Sequence, residues 1–443
     1  MGFLRACLCL ILLDRRCSLS FCRKHIQLIE SSGLQAEPSS SEQDGSVSLD
    51  DLDREVYGIL GIPIDAVGLE EVVRRIGSAL RSDEPYLIST PNLNFLVTAQ
   101  TDAAFRESLL MSDLCPVDGV PIVWISRLMG IPIKGRVAGS DIFDRLKSGP
   151  QGSVKVFLFG GPQGVAETAG RVLNGQSSAV SCVGSLFPGF GSVEEMSSDE
   201  IIEAVNASGA RFLVASLGAQ KGQSWLRTNH HRLRIPVRSH LGAAINFQAG
   251  LLKRAPLIVR KSGFEWLWRI KEEPYLWRRY LHDGSVLLRL MLSRALPLAL
   301  APMLRRFGAK EQRRLSVSMC PTSDRAPTIL LAGDGVAETV GEAVPSLREG
   351  IRQATELTID LAQLKSIDAR FLGLLLMVRK SILQKGGRLV FANSSRRIQR
   401  AVRLHGFGFL LDSDAHHAVA KTRVLRREDD EQVASPANFQ VSR

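Results

Sequence analysis

Short apolar runs alternate with stretches of helical periodicity over residues 55–250. The run from Tyr86 to Ser89 is short enough for a buried strand, and residues 93–110 after it place apolar side chains at helical spacing. Further predicted strands, each bounded by turn residues or helical stretches, are 114–117, 154–159, 180–184, 211–217 and 236–240. Strands that alternate with helices predict an α/β fold with a doubly wound, mainly parallel sheet.

Polar residues follow two of these strands at the point where each strand ends. Thr90 and Asn92 follow the strand 86–89, and Asp118 follows the strand 114–117. Ligands of open α/β sheets bind outside the carboxyl ends of the strands, so a carboxylate there is suited to act as a general base. Thr90 and Asn92 could likewise bind a sugar or phosphate near a helix N-terminus. The alternative for all three residues is simple helix capping.

Two glycine-containing loops also follow predicted strands. Gly160 and Gly161 end one strand, and Lys221 and Gln223 lie in the stretch that begins at Gly218. Neither loop completes a dinucleotide-binding or P-loop motif, so each is either a weak nucleotide-loop signal or a tight turn.

The cysteine and histidine positions argue against a bound metal. The chain has seven cysteines, none of them in a C-x-x-C pair, and such a scattered set indicates reduced thiols in a cytoplasmic setting. His230, His231 and His240 lack metal-ligand spacing, which favours solvent or core positions for them. The absence of a C-x-x-C pair argues against a zinc site. We expect no cofactor, and the metal independence is an expectation that the family resemblance described below implies.

The chain becomes strongly basic after residue 250. Residues 250–314 hold 15 Lys and Arg against 5 Asp and Glu, within a net charge of +11 for the whole chain. Such a charge suits a polyanionic partner, and guanidinium groups bind the oxygens of pyrophosphate in pairs. The basic side chains that could bind a pyrophosphate are Arg254, Arg260, Lys261, Arg269, Arg278 and Arg279.

The same region has the pattern of a membrane-associated helix. Residues 286–304 are apolar but carry Arg289 and Arg294, which is typical of a helix that lies in a membrane interface. Trp266, Trp268 and Trp277 suit a lipid headgroup boundary. The alternatives are an exposed basic helix without a ligand and a nucleic-acid partner. The apolar segment favours the membrane, so we expect no nucleic acid to bind.

Composition and periodicity divide the chain into six parts. The predicted parts are a disordered or anchor-like extension at 1–54, a larger α/β domain at 55–250, a basic amphipathic appendage at 251–310, a linker at 311–326, a small α/β domain at 327–425 and a flexible tail at 426–443.

Several sequence blocks closely resemble the WecG/TagA/CpsF family of glycosyltransferases. They are T-P-N at 90–92, V-D-G-V-P-I-V-W at 117–124, R-V-A-G-S-D at 136–141, G-G at 160–161, and A-G-L-L-K-R-A-P with G-F-E-W-L-W-R-I-K-E-E-P within 249–274. The resemblance implies a Rossmann-like, inverting, metal-independent enzyme. Such an enzyme transfers a sugar from a nucleotide-sugar donor to a polyprenyl-diphosphate-linked acceptor in exopolysaccharide or surface-glycan biosynthesis. It further implies a cytoplasmic protein bound peripherally to the inner face of the plasma membrane.

The resemblance also implies roles for individual residues. Asp118 matches the catalytic base, Thr90 and Asn92 match active-site residues, and Arg269 and Arg279 match arginines that bind the diphosphate. The expected substrate-binding residues are Thr90, Asn92, Arg136, Asp141, Gly160, Gly161, Lys221, Gln223, Arg254, Arg269, Arg278 and Arg279.

Three departures from the family pattern leave the donor sugar open. Gly222 stands at the Gln of the family's G-x-P-K-Q-E-x-W, with Gln223 next to it. Asn246 stands where many members have Asp, and Leu276 where some have Arg. We expect a UDP-sugar that carries N-acetylmannosamine, glucose or a uronic acid.

The C-terminal α/β unit resembles a STAS domain, the fold of anti-sigma-factor antagonists. The resemblance rests on the strand 356–361, on Ser366-Ile367-Asp368 and on the strand 386–393. Ala369 and Arg370 replace the family's phosphorylatable Ser, which argues against a phosphorylation switch at that position. We expect a module that docks a protein partner, and a homo-oligomer is compatible with the sequence.

A different class of function is also compatible with the sequence. In this alternative the chain is a non-enzymatic STAS-type regulator whose front domain senses a nucleotide sugar. The missing Ser argues against the phosphorylated form of such a regulator.

Overall fold

The computed structural model describes residues 50–150, 154–242, 244–252, 255–256, 259–260, 263–305, 314–320 and 327–411. The predictions for residues 1–49, for Arg254 and Lys261, and for the tail 426–443 concern residues outside these ranges.

Two short strands precede the main sheet and form a hairpin. β1 (Val56–Ile59) and β2 (Ile62–Asp65) pair antiparallel, and Leu60 and Gly61 turn between them with φ values of 48° and 96°. Every residue of both strands is buried. A two-stranded ribbon cannot bury itself, so both faces of the hairpin are covered by other parts of the chain.

The main sheet of the larger domain has five parallel strands. They are β3 (Tyr86–Ser89), β4 (Val154–Gly160), β5 (Val180–Leu186), β6 (Phe212–Ser216) and β7 (Val237–His240). Their order is β3-β7-β6-β4-β5, and every pair in the sheet is parallel. The predicted fold class is confirmed.

Helices cover both faces of this sheet, and apolar side chains alternate between two cores. Val156 and Val214 belong to one core, whereas Phe157 and Leu213 belong to the other. The helices are α1 (Leu69–Arg81), α2 (Leu93–Thr101), α3 (Ala103–Leu110), α4 (Val120–Leu128), α5 (Gly139–Lys147), α6 (Val165–Gln176), α7 (Asp199–Ala207), α8 (Ala219–Thr228) and α9 (Ala244–Gln248).

Two local predictions in this domain are wrong. The helical stretch 93–110 is two helices, because Asp102 ends α2 and its side chain accepts the Phe105 N–H at the start of α3 (2.9 Å). The predicted strand 114–117 is reduced to one parallel bridge between Leu114 and β3. Pro116 has no N–H, and the N–H of its neighbour Cys115 donates to a side chain, so the ladder does not continue.

Three helices form the appendage that follows this domain. They are α10 (Glu265–Glu272), α11 (Trp277–Leu290) and α12 (Leu296–Arg305), and a π-helical turn at Met291–Ala295 joins the last two. The continuous helix Pro274–Ala301 is long and apolar enough to cross a membrane by length and composition. Leu290 and Ala295 are nevertheless buried in a core cluster with residues of the larger domain.

The C-terminal domain is a mixed sheet with helices. β9 (Thr328–Gly335) pairs antiparallel with β8 (Leu315–Cys320) and parallel with β10 (Glu356–Asp360) and β11 (Leu364–Ile367), and β10 pairs parallel with β12 (Arg388–Ala392). Its helices are α13 (Val340–Gln353), α14 (Ala369–Gln384) and α15 (Arg396–Leu404).

Part of the predicted linker 311–326 belongs to this sheet, because its residues 315–320 form β8. The apolar side chains of Leu315, Val317 and Met319 alternate with small polar ones, and all three pack on the domain core. This two-residue period is that of a half-buried strand.

Gly373 provides a test of how closely α14 approaches the hairpin. A Cβ at Gly373 would overlap the Val56 carbonyl oxygen, so we expect Gly373→Ala to lower the free energy of unfolding by about 1–3 kcal/mol. Gly341→Ala in α13 is the matched control, because no atom lies within 4 Å of the added Cβ. Urea unfolding followed by circular dichroism measures both, and equal midpoints would contradict the close approach.

Candidate active site

Asp118 lies where the segment beside β3 leaves the carboxyl edge of the sheet. Its N–H donates to the Pro91 carbonyl (2.9 Å), which places it beside the loop that carries Thr90 and Asn92. The Asp118 carboxylate accepts the N–H of Gly139, the first residue of α5. The sequence blocks around 90, 118 and 139 therefore meet at one place.

The surroundings of Asp118 raise its pKa to about 8. Burial of the carboxyl is the largest cause, because it removes the water that stabilises the charged form. Arg136 acts in the opposite direction, whereas the carboxylates of Glu265 and Asp141 raise the pKa further. A carboxyl with a pKa close to neutrality is suited to exchange protons at physiological pH.

Arg136 links the larger domain to the appendage at this point. Its guanidinium bonds to Glu265 at the start of α10 and lies 3.5 Å from an Asp141 oxygen. Arg260 lies 3.6 Å from the other oxygen of Asp141. Two carboxylates thus share the cation closest to Asp118, which limits how far Arg136 can lower the Asp118 pKa.

Glu265 was not among the predicted site residues. Its position in the G-F-E-W block was the available signal, but a Glu in the first turn of a helix is equally expected from the helix dipole.

Asn92 and Thr90 lie close to Asp118 and also have structural positions in the fold. The Asn92 side chain accepts the N–H of Phe95 (3.2 Å) and so caps α2, as the alternative interpretation predicts. Thr90 is buried. A Cβ at Gly119 would lie 3.3 Å from the Asn92 Cα, so Asn92 and the Asp118 loop are in close contact.

The two glycine-containing loops lie at neighbouring strand ends. Gly160 and Gly161 have φ values of 92° and 80° and form a tight turn after β4. Lys221 is exposed on α8 and donates to the Gly191 carbonyl (2.8 Å). Gln223 is fully buried, its Nε2 donates to Ser89 Oγ (2.9 Å), and its Oε1 has no partner.

His240 occupies the space beside Gly222. A Cβ at Gly222 would overlap the His240 ring, so the absence of a side chain there makes room for the imidazole. His240 is buried, neither ring nitrogen has a partner, and burial lowers its pKa to about 4. Of the two positions predicted for the histidines, solvent or core, His240 takes the core position.

The described arginines of the appendage differ in where they point. Arg269 pairs with Glu273 (2.8 Å), lies over the Phe247 ring and has a buried Nη1 without a partner. Arg278 and Arg279 are exposed on α11, each over the aromatic ring of a neighbouring residue. Arg269 is therefore partly buried, whereas the other two lie on the surface.

Within the described ranges, no group of three or more His, Cys, Asp and Glu side chains is placed to hold a metal ion.

Comparison with known proteins identifies the families. Residues 57–299 match the model of the Glycosyl transferase WecG/TagA/CpsF family, and residues 318–412 match that of the Mlab, STAS domain. Similar proteins include the N-acetylglucosaminyldiphosphoundecaprenol N-acetyl-beta-D-mannosaminyltransferases of Staphylococcus aureus strains NCTC 8325 / PS 47 and COL. Each is 25% identical over 214 residues, which is 48% of this chain and 82% of the relative.

A solved structure of the anti-sigma factor antagonist SpoIIAA in its unphosphorylated form is also similar. It is 18% identical, and the match covers 24% of this chain and 97% of that one with a TM-score of 0.21.

The first family model spans more than half of the chain, so the chain belongs to the WecG/TagA/CpsF family. It is a glycosyltransferase, and a STAS-like domain follows its catalytic part. Both resemblances predicted from the sequence are confirmed.

The pKa of Asp118 leads to a prediction about pH. A general base works deprotonated, so kcat/KM is expected to rise with pH and level off above a midpoint near 8. Glu265→Gln removes a carboxylate that raises this pKa and frees Arg136, so the midpoint is expected to move to lower pH. Initial rates of sugar transfer from pH 5.5 to 9.5 measure it.

Glu272→Gln on the same helix is the matched control, because Glu272 is not among the principal charges that act on Asp118. The assignment fails if both variants keep the wild-type midpoint.

Proposed function

We propose that the chain transfers a sugar with inversion from a nucleotide-sugar donor to a polyprenyl-diphosphate-linked acceptor, with Asp118 as the general base. The observation that supports this most strongly is the partly enclosed Asp118 carboxyl at the sheet edge, whose pKa is raised to about 8.

The reaction follows from this arrangement. Asp118 takes the proton of the acceptor hydroxyl while the oxygen of that hydroxyl attacks the anomeric carbon of the donor sugar. The bond between that carbon and the nucleotide diphosphate breaks on the opposite face, which inverts the anomeric centre. The diphosphate leaves with added negative charge.

Arginines are suited to stabilise the leaving diphosphate. Arg269 Nη1 and Arg260 Nε are buried N–H groups without a partner, and unpaired buried donors are favourable sites for an anion. We propose that these guanidinium groups replace a metal ion in neutralising the charge. Arg278 and Arg279 are assigned the outer part of the same path, towards the lipid-linked diphosphate.

The relatives suggest the substrates. The staphylococcal proteins are named for transfer of N-acetyl-β-D-mannosamine to N-acetylglucosaminyldiphosphoundecaprenol. We propose a UDP-sugar donor and an acceptor of that class for this chain in surface-glycan biosynthesis. The departures from the family pattern at Gly222, Asn246 and Leu276 leave the sugar of the donor to be determined by experiment among N-acetylmannosamine, glucose and uronic acids.

The appendage is suited to rest on a membrane. Its long helix exposes a row of apolar residues at three- to four-residue or seven-residue spacing, which is one helix face. These residues are Trp277, Leu281, Leu288, Leu292, Leu296 and Leu300.

The opposite side of this helix contacts the catalytic domain. Asp283 bonds to Asn94, Arg294 donates to Gln100 Oε1 (3.0 Å), and Leu290 is buried. A helix that contacts the catalytic domain through residues 283–294 suits a peripheral position better than a span surrounded by lipid. We place it at the inner face of the plasma membrane, where the nucleotide sugar is available.

Asp118→Asn tests the base. The amide has nearly the same shape but cannot take the proton, so we expect kcat/KM to fall by about 10²–10⁴-fold with an unchanged circular dichroism spectrum. The assay uses radiolabelled UDP-sugars with polyprenyl-diphosphate-linked N-acetylglucosamine or glucose. Asp144→Asn, which changes a half-exposed carboxylate on α5, is the matched control and should remain active. Wild-type activity of Asp118→Asn would exclude this residue as the base.

Charge on the apolar face tests the membrane contact. Leu288→Glu/Leu292→Glu is expected to weaken binding to phosphatidylglycerol vesicles at least about tenfold, because two exposed leucines no longer enter the interface. The corresponding double Ala variant should lie between it and the wild type. Transfer to a short, water-soluble acceptor should stay unchanged in all three, and undiminished vesicle binding of the Glu variant would refute the contact.

A further inference from the structure

The C-terminal domain shares its core with the catalytic domain. Helix α14 is buried over most of its length. Leu52, Val56 and Leu110, which precede or belong to the catalytic domain, lie in one apolar cluster with the C-terminal sheet and α14. Ala369 at the start of α14 lies in turn in a core cluster of the catalytic domain. The catalytic and C-terminal domains therefore bury apolar surface against each other.

Hydrogen bonds to the backbone of the hairpin β1–β2 also attach it to the C-terminal domain. The Gly61 N–H donates to the His405 carbonyl (2.8 Å), and Arg370 Nη1 donates to the Val56 carbonyl (3.2 Å). The residues at the start of α14, where the STAS family has its phosphorylatable Ser, therefore contact the catalytic domain. The hydrogen bond to Val56 gives the Arg370 side chain a partner in the hairpin of the catalytic domain.

A cluster of buried charges lies at the centre of this contact. Lys380 of α14 has a side chain that is 1% exposed, and its Nζ pairs with Asp51 (2.9 Å) and with Asp113. Arg54, equally enclosed, pairs with Asp51 (2.6 Å) and Asp65 (2.8 Å). Burial opposes the ionisation of Asp51, but Lys380 and Arg54 hold its pKa below the usual value.

Two carboxylates of this cluster attach the segment that leads to Asp118 to its neighbours in the fold. Asp113 Oδ2 accepts the Leu87 N–H (2.6 Å) at β3, and Asp65 Oδ2 accepts the Cys115 N–H (2.6 Å). Arg54 also donates to the Ser112 carbonyl (3.0 Å). Lys380 and Arg54 supply the positive charge that allows the partly buried Asp113 and the buried Asp65 to hold this segment in place.

We propose that the C-terminal domain is an intramolecular brace for the active site, in which Lys380 is a positioning residue that holds Asp113 and thereby the segment carrying Asp118. The inference rests on the proposed role of Asp118 as the base. The first partner of this STAS-like domain is then the catalytic domain of its own chain. Because the ion pairs of Lys380 with Asp51 and Asp113 are shielded from water, the C-terminal and catalytic domains behave as one unit.

Lys380→Met in the full-length enzyme tests the brace. Met keeps the length of the side chain but removes the cation, so kcat is expected to fall about 10–100-fold while the donor KM stays within about twofold. The charged groups that face Asp118, which are Arg136, Asp141 and Glu265, remain unchanged. The pH midpoint of kcat/KM should move to lower pH, because water reaches a less firmly held Asp118. Wild-type kcat with the wild-type midpoint would overturn the proposal.

Arg379→Gln is the matched control at the adjacent position of α14. Arg379 pairs with Glu107 across the same contact (2.8 Å) but binds no part of the segment before Asp118. We expect wild-type kcat and midpoint for it. An equal loss in this variant would show that any weakening of the contact lowers activity, which would overturn the particular role of Lys380.

A double variant separates positioning from folding. If circular dichroism shows that Lys380→Met does not fold, the double variant Lys380→Met/Asp113→Asn is tested instead. It leaves no unpaired charge at position 113, and Asp51 still forms its ion pair with Arg54. The folded double variant is expected to keep a low kcat and a shifted midpoint, and wild-type kinetics would overturn the brace. An active Asp118→Asn enzyme contradicts the proposed base, whereas an inactive one combined with wild-type kinetics of Lys380→Met contradicts only the brace.

Discussion

The proposed active site depends on the partial burial of one carboxyl group, that of Asp118. Burial raises its pKa more than any other effect, and Arg136 would cancel much of this if it were free. Glu265 and Asp141 both bind Arg136 and so reduce its influence. Glu265 comes from α10 of the appendage, and the long helix that follows α10 exposes the apolar face proposed to contact the membrane. The proposed membrane contact and the surroundings of the proposed base therefore involve the same appendage.

The C-terminal domain extends this dependence to the other side of the catalytic domain. Ion pairs that are buried stabilise a protein only when both partners are present, since a lone buried charge is costly. Lys380 and Arg54 each pair with two carboxylates, and two of these, Asp113 and Asp65, accept the backbone N–H groups of Leu87 and Cys115. A STAS-like fold, which the sequence suggested as a docking module, serves here as part of the internal structure of an enzyme.

The alternation of strands and helices was sufficient to predict the parallel sheet, and the motif blocks were sufficient to bring Asp118, Arg136 and Asp141 together. Local exceptions had local causes: Asp102 caps a new helix, and Pro116 interrupts a strand. The strand β8 had a visible two-residue period within a stretch that otherwise looked like a linker.

Interactions between distant parts of the chain could not be predicted in this way. Lys380 and Asp113 are separated by 267 positions, and each alone looks like an ordinary surface charge. Glu265 looked like a residue that only favours the start of a helix. The burial of the appendage arginines depends on how the helices of the appendage pack. Arg269 is partly buried whereas Arg278 and Arg279 are exposed, although their sequence context is similar.

The ionisation of Asp118 can be observed directly. The enzyme is labelled with ¹³C at the aspartate side-chain carboxyl, and the Asp118 signal is assigned by its absence from the Asp118→Asn spectrum. Its chemical shift, followed from pH 4 to 10, is expected to titrate with a pKa of about 8. A titration below about 5, in the ordinary range of aspartate, would contradict a base whose strength is set by burial.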